Sequence, residues 1–161
     1  MVLYKSSIIT IGDELTSGFR IDTNSKWIAS QLHSSKIDIN SIYTIGDKSR
    51  DISQAIKFAI SKDIKYLFIT GGLGPTNDDK TLHSIKTILK SQYFIDKEYY
   101  SFLKTKFKNI EYDNMIKNQS TKISGVNYLS NPKGSALPFY FKIKKTTIFV
   151  MPGVSSEMKD I

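Results

Sequence analysis

The chain has 161 residues, 40% of them hydrophobic, enough to bury the core of one ordinary domain, and a single domain over residues 1–161 is expected. It contains no cysteine, which excludes disulfides, thiolate metal sites and cysteine nucleophiles. The formal charge is +8, but arginine occurs only as Arg20 and Arg50 and the lysines are scattered, so a mild pull on small anions is expected and a nucleic-acid partner is not.

The first seven residues lack the charged region, long apolar core and cleavage site of a signal peptide. No apolar run approaches the roughly 20 residues that span a bilayer, so a cytoplasmic chain without a membrane partner is expected. The β-branched run at 8–11, closed by Gly12-Asp13, predicts a buried strand that opens into a loop over 12–18 carrying two carboxylates. Asp22-Thr23-Asn24-Ser25 supplies N-cap chemistry for a helix with Trp27, Ile28 and Leu32 on its apolar side. Residues 37–45 alternate as a second strand and stop at Gly46-Asp47. Ile52, Ala55, Ile56, Ala59 and Ile60 mark a second helix over 49–61, and Tyr66-Leu67-Phe68-Ile69-Thr70 is a third strand whose lack of alternation suits the centre of a parallel sheet.

That strand runs into Gly71-Gly72-Leu73-Gly74-Pro75-Thr76, after which Leu82, Ile85, Ile88 and Leu89 mark a third helix. Residues 91–131 suggest one helix around Tyr99 to Leu103, then irregular chain. Residues 139–143 and 146–150 read as two strands joined by a lysine-rich turn and ending at Met151-Pro152-Gly153. Strands alternating with helices predict an α/β fold, a three-layer α/β/α sandwich with a mostly parallel sheet and at least one antiparallel strand. Its site belongs at the carboxyl ends of the strands.

The chemistry concentrates in the loops. Three glycines within 71–74 allow positive φ and close backbone approach, so their N–H groups can converge on a phosphate beside a helix start. The spacing is neither that of a Walker loop nor that of a dinucleotide fingerprint. Asp78 and Asp79 begin the next helix, where a carboxylate caps favourably, and beside a phosphate they also suit a hard divalent cation. Asp13, Glu14 and Asp47 end the first two strands and should face the same crevice, as metal ligands or acid–base groups. His33 and His83 lack metal-spaced partners and read as surface histidines.

The segments 9–18, 22–24, 45–47, 71–81, Asn131-Pro132-Lys133-Gly134-Ser135-Ala136 and Met151-Pro152-Gly153-Val154-Ser155-Ser156-Glu157-Met158 together resemble the N-terminal module of CinA (competence/damage-inducible) proteins. The chain departs from that pattern at Leu137-Pro138-Phe139 and at Ser155, and the C-terminal deamidase of such proteins is not expected within residues 1–161. The module in turn resembles the molybdopterin-binding domain of MoaB and MogA proteins, often trimeric. The resemblance implies a homo-oligomer, trimer or dimer, and a phosphate-bearing ligand: ADP-ribose, another nucleotide or a pterin such as molybdopterin. It implies hydrolysis of ADP-ribose to AMP and ribose 5-phosphate with Mg²⁺, Mn²⁺ or Co²⁺, or, as an alternative, ligand binding without catalysis. By motif Asp47 and Asp79 are the catalytic pair. Gly12, Gly71, Gly72, Leu73, Gly74, Pro75, Thr76, Thr81, Gly134, Pro152 and Gly153 would hold the ligand, and Asp13, Glu14 and Asp78 the metal.

Overall fold

The computed structural model describes residues 4–107 and 113–161. The signal-free reading of Met1 to Leu3, and residues 108–112 of the predicted irregular stretch, lie outside the described residues. The strands β1 (Lys5–Ile11), β2 (Asp38–Ile45), β3 (Tyr66–Thr70), β6 (Asn127–Tyr128), β7 (Phe139–Ile143) and β8 (Thr146–Met151) form one sheet in the order β2-β1-β3-β8-β7-β6. The first four in that order are mutually parallel; β7 pairs antiparallel with β8, as the predicted hairpin requires, and β6 pairs antiparallel with β7.

The strand pattern explains which surfaces are covered. β1 is buried at every position after Lys5, whereas β2 at the sheet edge alternates between exposed and half-buried residues. Ile9, Ile11, Leu67, Ile69, Ile148 and Val150 face α3 (Ser49–Ser61) and α4 (Thr81–Leu89), which contribute Ile52, Ile56, Ala59 and Ile85. On the opposite face Ile8 and Met151 pack against Ile28 and Leu32 of α2 (Thr23–Ser34) and Met158 of α7 (Ser155–Met158). Helices therefore cover both sides of the sheet, giving the three-layer sandwich.

Two expectations need correction. The 12–18 loop contains a helical turn, α1 (Asp13–Thr16), with Gly12 as its N-cap residue. Residues 91–131 hold more order than one helix: β4 (Tyr93–Ile95) pairs antiparallel with β5 (Thr121–Ile123) as a separate two-stranded sheet, joined by α5 (Lys97–Lys106) and α6 (Asp113–Gln119). All three residues of β4 are exposed, so no alternation could have betrayed it.

Candidate functional site

β1 leads to β2 on one side and β3 lies on its other side, so the sheet order reverses at β1. A crevice must open beyond the carboxyl ends of β1 and β3, the usual ligand position in such sheets. Gly12 and Gly71 occupy those two ends. Gly71 has φ +108°, and a Cβ there would strike the Ile11 carbonyl oxygen; its N–H donates to Met151 O at 3.2 Å, tying together the ends of three strands. Gly72 has φ +64° and lies against the Thr81 side chain. Thr81 is fully buried; its hydroxyl donates to Gly71 O at 2.9 Å and its N–H to Gly72 O at 3.2 Å. It braces the loop from behind and does not face the crevice.

Asp79 does similar work from the front. Its Oδ1 accepts from the Gly74 N–H at 2.7 Å, and its Oδ2 from the Thr76 N–H and hydroxyl at 2.9 and 2.6 Å. Of the three glycine N–H groups predicted to seat a phosphate, that of Gly74 thus holds a carboxylate of the chain itself and that of Gly71 is taken by Met151 O. No hydrogen bond within the described residues engages the N–H of Gly72 or Leu73, which leaves those two for a ligand.

Across the crevice Asp13 and Asp47 clasp one another: the Asp13 N–H donates to Asp47 Oδ2 at 2.8 Å and the Asp47 N–H to Asp13 Oδ1 at 3.1 Å. Burial pushes the Asp47 carboxyl above the usual aspartate range and the charges of Asp13, Glu14 and Asp79 push the same way, against the Asp13 N–H bond. Glu14 folds its carboxylate over Gly12, where a side chain would collide with it. Among the described residues no three acidic or histidine side chains form a ready-made metal cluster. Asp13 in particular does not line the crevice, whereas Glu14, Asp47, Asp78 and Asp79 do.

The crevice has a volume of about 1080 Å³ and is walled by Gly12, the 71–75 loop, Pro152, Gly153, Ser135 and Ala136. Gly134 stands just behind that wall, pressed by the Glu157 carboxylate. Thr76 instead faces a second cavity of about 420 Å³ on the far side of the same loop, with Lys80, His83 and Lys122 around it. His83 Nδ1 lies 3.1 Å from the Tyr93 hydroxyl and His33 is exposed, in keeping with the surface reading of both.

Several contributors escaped the sequence reading. Asn24, buried on α2, donates to Thr70 Oγ1 at 3.1 Å and Gly153 O at 2.8 Å, locking the 152–154 turn to β3. Asn118 and Gln119 on α6 donate to Pro75 O and Leu73 O at 3.0 and 3.1 Å, so this helix props the glycine loop. Asn131 donates to Glu157 Oε2 at 2.7 Å and accepts from the Gly134 N–H at 2.9 Å, shaping the opposite wall. Asn24 had a signal, the Asp-Thr-Asn motif; the amides of α6 had none.

The family profile described as a probable molybdopterin binding domain matches residues 7–161. The chain belongs to that family. A CinA-like protein of Thermosipho melanesiensis is 38% identical over 159 residues, covering 98% of this chain and 39% of that protein. The crystal structure of the protein CinA from Thermoplasma acidophilum superposes with a TM-score of 0.88 at 23% identity, covering 98% of this chain and 93% of that one. For the molybdopterin biosynthesis enzyme MoaB of Thermus thermophilus the TM-score is 0.67 at 16% identity, covering 98% and 86%. The chain is thus a CinA-type, MoaB/MogA-like molybdopterin-binding domain. It spans 66% and 39% of the length of the first two curated relatives it matches. No helix among the described residues is long and apolar enough to cross a membrane.

Proposed function

We propose that this molybdopterin-binding domain is a metal-dependent pyrophosphatase acting on ADP-ribose or a similar nucleotide in the cytoplasm. The observation that carries the reading is the meeting of two unlike elements at one switch point. Unengaged Gly72 and Leu73 N–H groups stand on one side, and carboxylates with unused oxygens on the other. No hydrogen bond within the described residues engages Asp47 Oδ1 or the Glu14 carboxylate, and like charges crowd Asp47.

That donor set suits Mg²⁺, Mn²⁺ or Co²⁺, since such ions take one or two protein carboxylates and complete their shell with phosphate oxygens and water. Glu14 would hold the ion, with Asp78 at the rim, which leaves Asp47 Oδ1 free to act as a base; when bound the ion would neutralise charge on the diphosphate. The chain's own part is positional. Gly72 and Leu73 N–H groups orient a phosphate, and Asp79 keeps the loop in the shape that presents them. Asp47 Oδ1 can take a proton from a water attacking phosphorus. The P–O–P bond then breaks, and its bridging oxygen leaves on the departing phosphate, giving AMP and ribose 5-phosphate.

The test is AMP release from ADP-ribose with each metal. Asp47→Asn is expected to lower turnover roughly 10²–10⁴-fold, the usual worth of a positioned acid–base group. Folded wild-type protein that releases no AMP with any of the three metals ends the hydrolase reading.

The placement of Asp79 favours a second reading, a non-catalytic binding module for molybdopterin or a nucleotide, because both its oxygens are spent on the loop. Calorimetric binding of a pterin or nucleotide without turnover would select it. Under either reading the protein is a homo-oligomer, a trimer or dimer, which sedimentation would establish.

A further inference from the structure

We propose that Phe19 and Arg20 form a ligand clamp on the rim of the large crevice, with Arg20 gripping phosphate oxygens and Phe19 acting as a platform for a purine or similar planar base. The inference rests on the nucleotide reading of the crevice and names the residues that would select for it.

The charge inventory leads to Arg20. The crevice is lined by the carboxylates of Glu14, Asp22, Asp47, Asp78, Asp79 and Glu157, and Arg20 is the one cationic side chain lining it among the described residues. A phosphate entering a chamber so composed has one fixed positive partner. The Arg20 guanidinium forms no ion pair with any described residue, although acids surround the crevice it borders. Its planar fork matches two phosphate oxygens at once, which a lysine at the same place could not do.

Exposure leads to Phe19. It is 94% exposed and its neighbour Ile21 is 82% exposed, the two largest exposures among the large hydrophobic residues described. Both line the crevice. The loop that carries them is pinned: Ser17 N–H donates to Asp13 O at 2.9 Å, Arg20 N–H to Glu14 O at 2.9 Å, and Gly18 takes φ +75° to turn the chain outward. A backbone held by these bonds carries an exposed aromatic residue and, next to it in sequence, an arginine without an ion pair among the described residues, both lining the crevice. Base stacking is sequence-tolerant and of useful strength, and Arg next to an aromatic ring is a recurrent pairing for nucleotides.

The probes are AMP and ribose 5-phosphate, both with one phosphate and only one with a base, titrated calorimetrically in Mg²⁺. Phe19→Ala is expected to weaken AMP roughly tenfold and leave ribose 5-phosphate unchanged, while Phe19→Tyr restores AMP binding. Arg20→Gln is expected to weaken both ligands about tenfold or more, with Arg20→Lys recovering only part. Wild-type binding that neither variant alters overturns the clamp and leaves the hydrolase reading standing. The clamp is equally overturned if Phe19→Ala shifts the sedimentation coefficient to a smaller species with AMP affinity unchanged, because the ring would then belong to a contact between copies. A wild-type protein that binds neither probe ends both proposals.

Discussion

Removing the hydroxyl of Thr81 would leave the Gly71 carbonyl without its buried partner in a turn whose two glycines both take positive φ. Thr81→Val keeps the shape and should cost about 1–3 kcal/mol, read as a lower urea midpoint at unchanged slope. An unchanged midpoint would mean that the strand ends, not Thr81, hold the turn. Asp47 makes the opposite case. Its folded carboxyl is held above the ordinary value by burial and by neighbouring acids, so the ionised form costs stability above that value and the cost vanishes once the group is protonated. Asp47→Asn should therefore stabilise the protein at neutral pH, by less than about 1 kcal/mol given solvent screening, while activity falls. The gain should close as pH falls from the raised folded value to below the ordinary aspartate value of about 3.9; equal stability of the two proteins at neutral pH would contradict the charge crowding.

The small sheet depends on one acid. Asp96 caps α5 by accepting from the Tyr99 N–H at 2.9 Å and pairs with Lys122 on β5, and the hydrogen bond from Lys122 leads the causes that hold its carboxyl below the usual range. A lowered folded value means stability that is present above the ordinary aspartate value of about 3.9 and lost as pH falls through the folded one. Asp96→Asn keeps the cap and loses the pair, so it should cost roughly 0.5–1 kcal/mol at pH 7. The deficit should shrink as pH falls below about 4, and one that persists unchanged at low pH would remove the ion pair from the account. Such elements were the hard ones to read in advance. α3 and β3 were legible because thirteen and five consecutive residues repeat one pattern against a core. β4 and β5 have three residues each, pair across 26 to 30 positions and share no periodic face. In the crevice the sequence located Asp47 and Gly12 through their strand-end positions, Gly71, Gly72 and Gly74 through the loop that follows β3, and Asp79 through its place between that loop and the next helix. It could not say which N–H groups Asp79 would occupy, since that depends on the fold of residues 74–79 in space.

At the scale of the whole molecule, stability should be graded. Amides of β1, β3 and β8, flanked by strands and covered by helices, should exchange with deuterium last, and those of β4 and β5 first. Uniform exchange across both sheets would show one cooperative unit. Charge is graded as well: the chain carries +8 in total, yet six acids and one arginine line the crevice at the strand ends. The second cavity has Lys80, His83 and Lys122 with Asp79 as its one acid among the described residues, and Gly72, Leu73, Gly74, Pro75, Asp79 and Gln119 line both. The glycine loop with Asp79 and Gln119 is thus a party wall between an acidic chamber and a mildly basic one. A wall shared in this way cannot move for one tenant alone: if an occupant on the lysine side changes affinity on the acid side by some factor, the converse effect must be the same factor.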